Sequence, residues 1–340
     1  MTGDALGPLP RGLRPFAVPA SWAYGAGVRV ARALAARRGA RDAGIPVVSV
    51  GNVSAGGTGK TPFVRWAVGA LRASGRVPLV ALRGYAARGG VSDEAEEYRA
   101  TMPGVPLAIG GDRASAIAAV RALHPEVDSA VLDDGFQHHA LARALDIVLV
   151  DATRPAIDGA LLPAGWLREP AAGLRRAGIV VVTRAVREGG PVADLVRDAR
   201  GRGPDAWARH AWTAVERHEG PIRRGDADLA GMRVAVACAI GNPHAFVGDV
   251  RAHGAEVAMQ RLARDHHAYS DAEVDAIAAS ARGLPVVVTG KDWAKLLPAV
   301  ARSRGAAARC EWLVPRAGIE FLAGEAEVRA ALGRAVGAPR

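Results

Sequence analysis

Six residues in the stretch Ser54-Ala-Gly-Gly-Thr-Gly-Lys-Thr have types and spacing suited to holding phosphate. Backbone N–H groups of Gly56, Gly57, Thr58 and Gly59 can curl around phosphate oxygens, and the N-terminus of a following helix adds partial positive charge. Lys60 would reach the β- and γ-phosphates, and the Thr61 hydroxyl would bind Mg2+. The stretch departs from the pattern G-x-x-x-x-G-K-[ST] at its first position, which holds Ser54. The loop leaves its strand there, so Gly56 and Gly57 can still keep the backbone open. A glycine-rich turn with a chance Lys-Thr is the competing reading; the apolar run before and the helical pattern after disfavour it. A metal at such a loop needs a further acidic group, and VDSAVLDDGFQHH offers Asp133 and Asp134 at the end of a second apolar run. A carboxylate at the C-terminal end of a neighbouring parallel strand points into the same crevice. Two adjacent aspartates repel unless a cation stands near them. A strand ending in a solvated acidic turn is the plainer alternative.

These groups need elements to position them. IPVVSV, from Ile45, reads as a buried strand ahead of the loop, and TPFVRWAVGALRASG as the helix after it. VPLVAL is the next strand and leads to Arg83-Gly84-Tyr85. A helix starts near Asp93, and another runs from Asp112 to Leu123. SAVLD, LDIVLV and GIVVVT are further short strands. Short apolar strands alternating with helices predict an α/β chain with a P-loop NTPase-like, mostly parallel sheet and helices on both faces. Residues 185–230 are rich in Arg, Gly and Asp and mark a boundary. A smaller C-terminal α/β domain follows, with RVAVACAI and PVVVT as strands and PHAFVGDVRAHG and DAEVDAIAASARG as helices. The expected division is a tail and amphipathic helix over 1–44, a P-loop core over 45–215 and the smaller domain over 216–340.

Half of the 340 residues are hydrophobic and 23% are charged, which supports a sizeable core and argues against a disordered chain. The net charge of +10 favours polyanionic partners: nucleic acid, an anionic membrane or phosphorylated substrates. No nucleic-acid-binding module is visible. Cys238 and Cys310 form no C-x-x-C pair, which argues against a zinc site or a disulfide framework and fits a reducing compartment. No secretory signal is seen, and no apolar run reaches the ~18 residues of a membrane span. The expectation is a chain that is soluble or bound to a membrane surface. In SWAYGAGVRVARALAARRGAR, Trp22, Tyr24, Val28 and Leu34 stand among Arg29, Arg32, Arg37, Arg38 and Arg41. That suits either a helix lying in a membrane interface or a surface helix packed on its own domain.

SVGNVSAGGTGKTP, RGY, SDEAEEY, LDDGFQHH and LLPAGWLREP occur in this order, followed by AIGNPHAF, ARDHHAYSDAEV and VVVTGKDWAKL. Together they resemble the tetraacyldisaccharide 4'-kinase (lipid A 4'-kinase) family along essentially the whole chain. The resemblance implies ATP and Mg2+ as cosubstrate and cofactor. It implies phosphorylation of the 4'-hydroxyl of a tetraacylated glucosamine disaccharide 1-phosphate in lipid A biosynthesis. It also makes Ser54 a family trait, because that loop commonly lacks the first glycine. Lys60 and Thr61 fall on the loop lysine and the metal-binding hydroxyl. Asp93, in SDE, falls on the family's catalytic aspartate, and His266, first of the two histidines in DHH, on its paired histidine. Asp133 and Asp134 fall on the acidic metal-binding pair. Arg168 and Glu169, in LREP, match an active-site Arg-Glu, the arginine toward catalysis and the glutamate toward the metal. Arg113, in GGDR, matches a further basic residue near the site. Gly290, Trp166 and Ala86 depart from the family's usual acidic residue, proline and glycine, and none touches the implied chemistry.

On this resemblance Asp93 accepts the proton of the sugar hydroxyl, while His266 orients it or holds opposite charge beside it. Their separation in the chain implies a domain closure that joins them. Without the resemblance, Asp93 reads as a helix N-cap and His266 as a loop histidine flanked by Asp265 and His267. An acylated acceptor lives in a bilayer, so the resemblance favours membrane docking of residues 16–41. The chain would then sit peripherally on the anionic cytoplasmic face of the inner membrane. The other class is a P-loop partition- or switch-type ATPase docked on a membrane. A GTPase is disfavoured, because TGKD lacks the residue that separates Lys and Asp in N-K-x-D.

Overall fold

The computed structural model describes residues 8–9, 14–55, 59–84, 93–264 and 267–337. The chain forms two compact units, the larger from Met1–Ala95, Gly104–His210 and Ile319–Arg340, the smaller from Glu96–Pro103 and Ala211–Gly318.

In the larger unit the strands are β1 (Val47–Asn52), β2 (Pro78–Leu82), β3 (Leu107–Ile109), β4 (Ser129–Asp133), β5 (Leu145–Asp151), β6 (Ile179–Thr183) and the start of β7 (Ala206–Glu219). They lie in the order β7-β6-β5-β1-β4-β2-β3, and each pairing is parallel. β1, β2, β4 and β6 are buried at every residue. Such Val- and Leu-rich strands require cover on both faces of the sheet, which is the expected α/β fold. Val50 of β1 stands opposite Asp133 of β4, so the two strands finish close together. After β4 the chain steps across β1 to β5. The strand order therefore reverses beside β1, where sheets of this kind bind ligands.

This part holds the helices α1 (Arg14–Arg38), α2 (Lys60–Ala73), α4 (Arg113–Leu123) and α5 (Pro191–Arg200), while α3 (Asp93–Thr101) starts in the larger unit and from Glu96 onward belongs to the smaller one. α2 buries Phe63, Val64, Ala67, Val68 and Leu71, the face that i, i+4 spacing produces. On α1 the buried residues Ala17, Ser21 and Gly25 repeat every four positions. Ser21 Oγ donates to Leu161 O at 2.9 Å and accepts from Ala164 N at 3.0 Å, which seats the helix. Phe16 and Trp22 are 81% and 72% exposed, and Arg29, Arg32, Arg37 and Arg38 are exposed as well. Among the described residues no helix is long and apolar enough to cross a membrane.

In the smaller unit β9 (Arg233–Cys238), β10 (Glu256–Leu262), β11 (Val286–Val288) and the first part of β12 (Glu311–Ala323) form a parallel arrangement in the order β10-β9-β11-β12. The second part of β7 pairs antiparallel with β8 (Ile222–Asp226). Side chains start three helices here: Asn242 caps α6 (Pro243–Ala252), Ser270 caps α7 (Asp271–Ser280) in a capping box with Glu273, and Thr289 caps α8 (Gly290–Arg302). Trp312 is fully buried in the core, its indole N–H donating to Ala307 O at 3.2 Å. Residues 185–230, read from the sequence as a boundary, also carry α5, β7 and β8. Arg209, Glu216 and Arg217 interrupt β7 and hide it from a search for apolar runs.

Residues 319–340 return the chain to the larger unit. They hold the end of β12 and α9 (Glu325–Val336), which buries Val328, Ala331, Leu332 and Val336. Phe321 meets Trp66 of α2 with ring centroids 4.7 Å apart. Arg76 Nη2 donates to Gly337 O at 2.6 Å and holds the last turn in place.

Candidate active site

The chain leaves β1 at Asn52 and turns into the glycine-rich stretch. Ser54 is buried and pairs antiparallel with Leu167. Ala55 N donates to Trp166 O at 2.7 Å and Arg168 N to Val53 O at 2.8 Å. The position where the usual pattern has glycine is thus tied to a neighbouring segment, and it accommodates a side chain. Gly59 is the N-cap of α2 at φ +80°, a conformation that favours glycine. A Cβ there would collide with the His210 ring. Lys60 and Thr61 open α2. Gly56, Gly57 and Thr58 lie outside the described residues.

Lys60 Nζ stands 3.3 Å from Asn52 Oδ1 and 3.4 Å from Asp134 Oδ1. Asp134 Oδ2 accepts from Arg168 Nη1 at 2.7 Å, so one carboxylate joins two cations. Burial pushes the Asp134 carboxyl up; Lys60 and Arg168 outweigh it and hold the group below the usual carboxylate range. Asp134 has φ +51°, a left-handed turn directly after β4. Asp133, the last residue of β4, is buried. Asp133, Asp134 and Arg168 line a cavity of about 510 Å³ together with Tyr24, Arg113 and His138. Burial, then Arg113 and Arg143, push the His138 imidazole down to about 4, so it is neutral at neutral pH.

Glu169 is buried, and both of its oxygens are engaged. Gln137 Nε2 donates to Oε1 at 2.7 Å and Arg176 Nη2 to Oε2 at 2.7 Å. Gln137 Nε2 also lies 2.9 Å from Asn52 O, so Glu169 braces the end of β1. The structure therefore gathers Lys60, Asp134 and Arg168, with Asp133 and Arg113 on the same cavity, and turns Glu169 toward Gln137 and Arg176. Asp93 is the first residue of α3; its side chain, and all of Asp265 and His266, lie outside what is described. Sequence reasoning did not single out Asn52, Gln137, Arg176 or His210. The first two sit inside quoted motifs, SVGN and GFQHH, whereas Arg176 and His210 carry no motif signal.

The Thr61 hydroxyl and the Asp133 and Asp134 carboxylates are hard oxygen donors, which suits Mg2+. Among the described residues no group of three or more His, Cys, Asp or Glu gathers. Mg2+ is commonly held by one or two carboxylates plus substrate phosphates, so these residues fit it.

A family model described as Tetraacyldisaccharide-1-P 4'-kinase matches residues 13–336. A tetraacyldisaccharide 4'-kinase of Anaeromyxobacter dehalogenans is 40% identical over 337 residues, 88% of this chain and 87% of that protein. One from Geobacter sulfurreducens is 37% identical, covering 84% of this chain and 85% of that protein. The solved structure of the "apo" form LpxK from Aquifex aeolicus in complex with ATP superposes with a TM-score of 0.74 at 24% identity. It covers 96% of this chain and 100% of the solved one, a likeness of fold.

Proposed function

The chain belongs to the tetraacyldisaccharide-1-P 4'-kinase family, and from that premise we propose that it transfers the γ-phosphoryl group of ATP to the 4'-hydroxyl of a tetraacylated glucosamine disaccharide 1-phosphate. The observation that carries this reading is the Lys60–Asp134–Arg168 cluster beside the end of β1, whose Asp134 and Arg168 line the cavity described above. The amides of Gly56, Gly57, Thr58 and Gly59 cradle the phosphates. Lys60 exchanges Asn52 and Asp134 for phosphate oxygens, and Arg168 stabilises charge on the transferring group. Thr61, Asp133 and Asp134 would hold Mg2+, which when bound neutralises phosphate charge. Glu169 acts as a brace through Gln137. Asp93 accepts the hydroxyl proton and His266 orients it.

Incubation with γ-labelled ATP, Mg2+ and the acylated disaccharide 1-phosphate is expected to place label on the lipid, and Lys60→Ala to abolish it. Label found only in free phosphate would overturn the reading in favour of a partition- or switch-type ATPase. Asp93→Ala and His266→Ala are each expected to lower turnover by about 10²-fold or more with ATP affinity kept. Wild-type turnover in either variant removes that residue from the mechanism.

The same reading places the protein peripherally on the cytoplasmic face of the inner membrane through residues 16–41. Exposed Phe16, Trp22 and Tyr24 beside exposed arginines on α1 support it, since aromatic and basic side chains favour an anionic lipid interface. Unchanged binding to anionic vesicles after deletion of residues 1–40 would refute the docking.

A further inference from the structure

One side chain of the docking helix α1 belongs to the reaction cavity. Tyr24 lines that cavity, of about 510 Å³, with Leu82, Arg113, Asp134, Leu162 and Arg168. It carries the one six-membered ring among the described residues of the lining. Tyr24 is 37% exposed, about half the exposure of Phe16 or Trp22, so the three aromatic side chains of α1 do not share one environment.

The seat of α1 fixes this ring. Ser21 stands three residues before Tyr24, about one helical turn away, and its hydroxyl bonds to Leu161 O and Ala164 N. Gly25, directly after Tyr24, lies so near the same segment that a Cβ on it would stand 2.6 Å from Leu161 Cδ1. The next residue of that segment, Leu162, is itself a wall of the cavity. The contacts that hold α1 therefore hold Tyr24 on the cavity as well.

The rest of the lining gives the ring a use. Arg113, Arg168 and Gln137 carry donors that suit phosphate and hydroxyl oxygens. They do not suit the C–H faces of a sugar ring, which are apolar. Tyr24, Leu82 and Leu162 supply an apolar wall for such a face, and tyrosine does so with a rigid, amphipathic ring at low entropic cost. The volume lies within the range of small-molecule sites, roughly 300–1,000 Å³.

We infer that Tyr24 is an acceptor-binding residue: its ring receives the C–H face of a glucosamine unit, so α1 supplies a wall of the acceptor site as well as a docking surface. The inference rests on the 4'-kinase reading above.

Tyr24→Ala is expected to raise KM for the acylated disaccharide 1-phosphate, measured in detergent micelles, on the order of 10-fold. KM for ATP is expected to stay unchanged, and binding to anionic vesicles to be kept by Phe16, Trp22 and the arginines of α1. A general loosening of α1 would move all three. Tyr24→Phe keeps the ring and is expected to recover most of the acceptor affinity. Glucosamine disaccharide 1-phosphate stripped of its acyl chains is expected to compete with the acceptor, and to do so on the order of 10-fold more weakly in Tyr24→Ala. Wild-type KM for the acceptor in Tyr24→Ala would overturn the inference. So would a rise in KM matched by loss of vesicle binding, or competition by the stripped acceptor that is the same in both proteins, because the ring would then serve the lipid interface and not the sugar. If Tyr24→Ala does not fold, Tyr24→Leu, which lacks the planar ring, decides by the same criteria. Absence of label on the lipid with the wild-type protein would remove the reading beneath the inference, and that result is obtained without touching Tyr24.

Discussion

His138 is held neutral by burial, with Arg113 and Arg143 adding to it and Asp112 opposing, at a value of about 4. An unfolded imidazole takes its proton near about 6.5. Between those values the unfolded chain binds more protons than the folded one, so stability falls as pH falls through that window. His138→Gln is expected to flatten the decline of Tm between about pH 6.5 and 4; an unchanged slope would show that the imidazole is not responsible. Asp134 works from the other side. Against burial, Lys60 and Arg168 hold its folded carboxyl low, so its stabilisation is present above the ordinary aspartate value and is lost as pH falls through the folded value. In Arg168→Ala only Lys60 is left to oppose burial, so the carboxyl rises relative to the wild type. The acid limb of kcat/KM is expected to move to higher pH, and Arg168→Lys to move less because it keeps the charge but loses the guanidinium fork. Lys60, Asp133, Asp134 and Arg168 were legible as residues because each sits in a short motif. The bond from Gln137 to Asn52 was not, since it joins positions 85 apart and exists only once β1 and β4 are paired.

Gly59 belongs to the scale of elements, because it sets how α2 begins. A left-handed conformation costs an ordinary L-residue about 1–2 kcal/mol, and here a Cβ would also meet His210. Gly59→Ala is expected to weaken ATP binding at least about tenfold, read by equilibrium titration. Retained affinity would show that the loop tolerates another backbone path. The strands β1, β2, β4, β5, β6, β9 and β11 were readable as short apolar runs because each is largely buried. β7 and β12 were not, because their buried residues are interspersed with exposed charged ones such as Arg209, Arg316 and Glu320. Helix starts were legible where a capping residue stood ahead of a helical pattern, as at Asp112, Asn242 and Ser270, whereas α8, capped by Thr289, was not expected from the sequence.

At the scale of the whole molecule, the order of residues along the chain does not say which unit residues 319–340 join. Their apolar face is visible in the sequence, but its destination is not. Deleting them removes four buried residues of α9 and takes Phe321 from Trp66. Burying one aliphatic side chain is worth about 1.5–3 kcal/mol, and a whole domain is stable by only about 5–15 kcal/mol. The truncated protein is therefore expected to lose cooperative melting of the larger unit and nucleotide binding with it. A truncation that still melts cooperatively and binds ATP would refute this. The same return has a consequence in time. Ribosomes release about 5–20 residues per second, so residues 211–318, all in the smaller unit, take on the order of ten seconds to emerge. Throughout that interval the larger unit has been translated up to His210 and still lacks its last helix. The first part to be made is thus the last to be completed, and the nascent chain depends on protection of the face of α2 that α9 and Phe321 will cover.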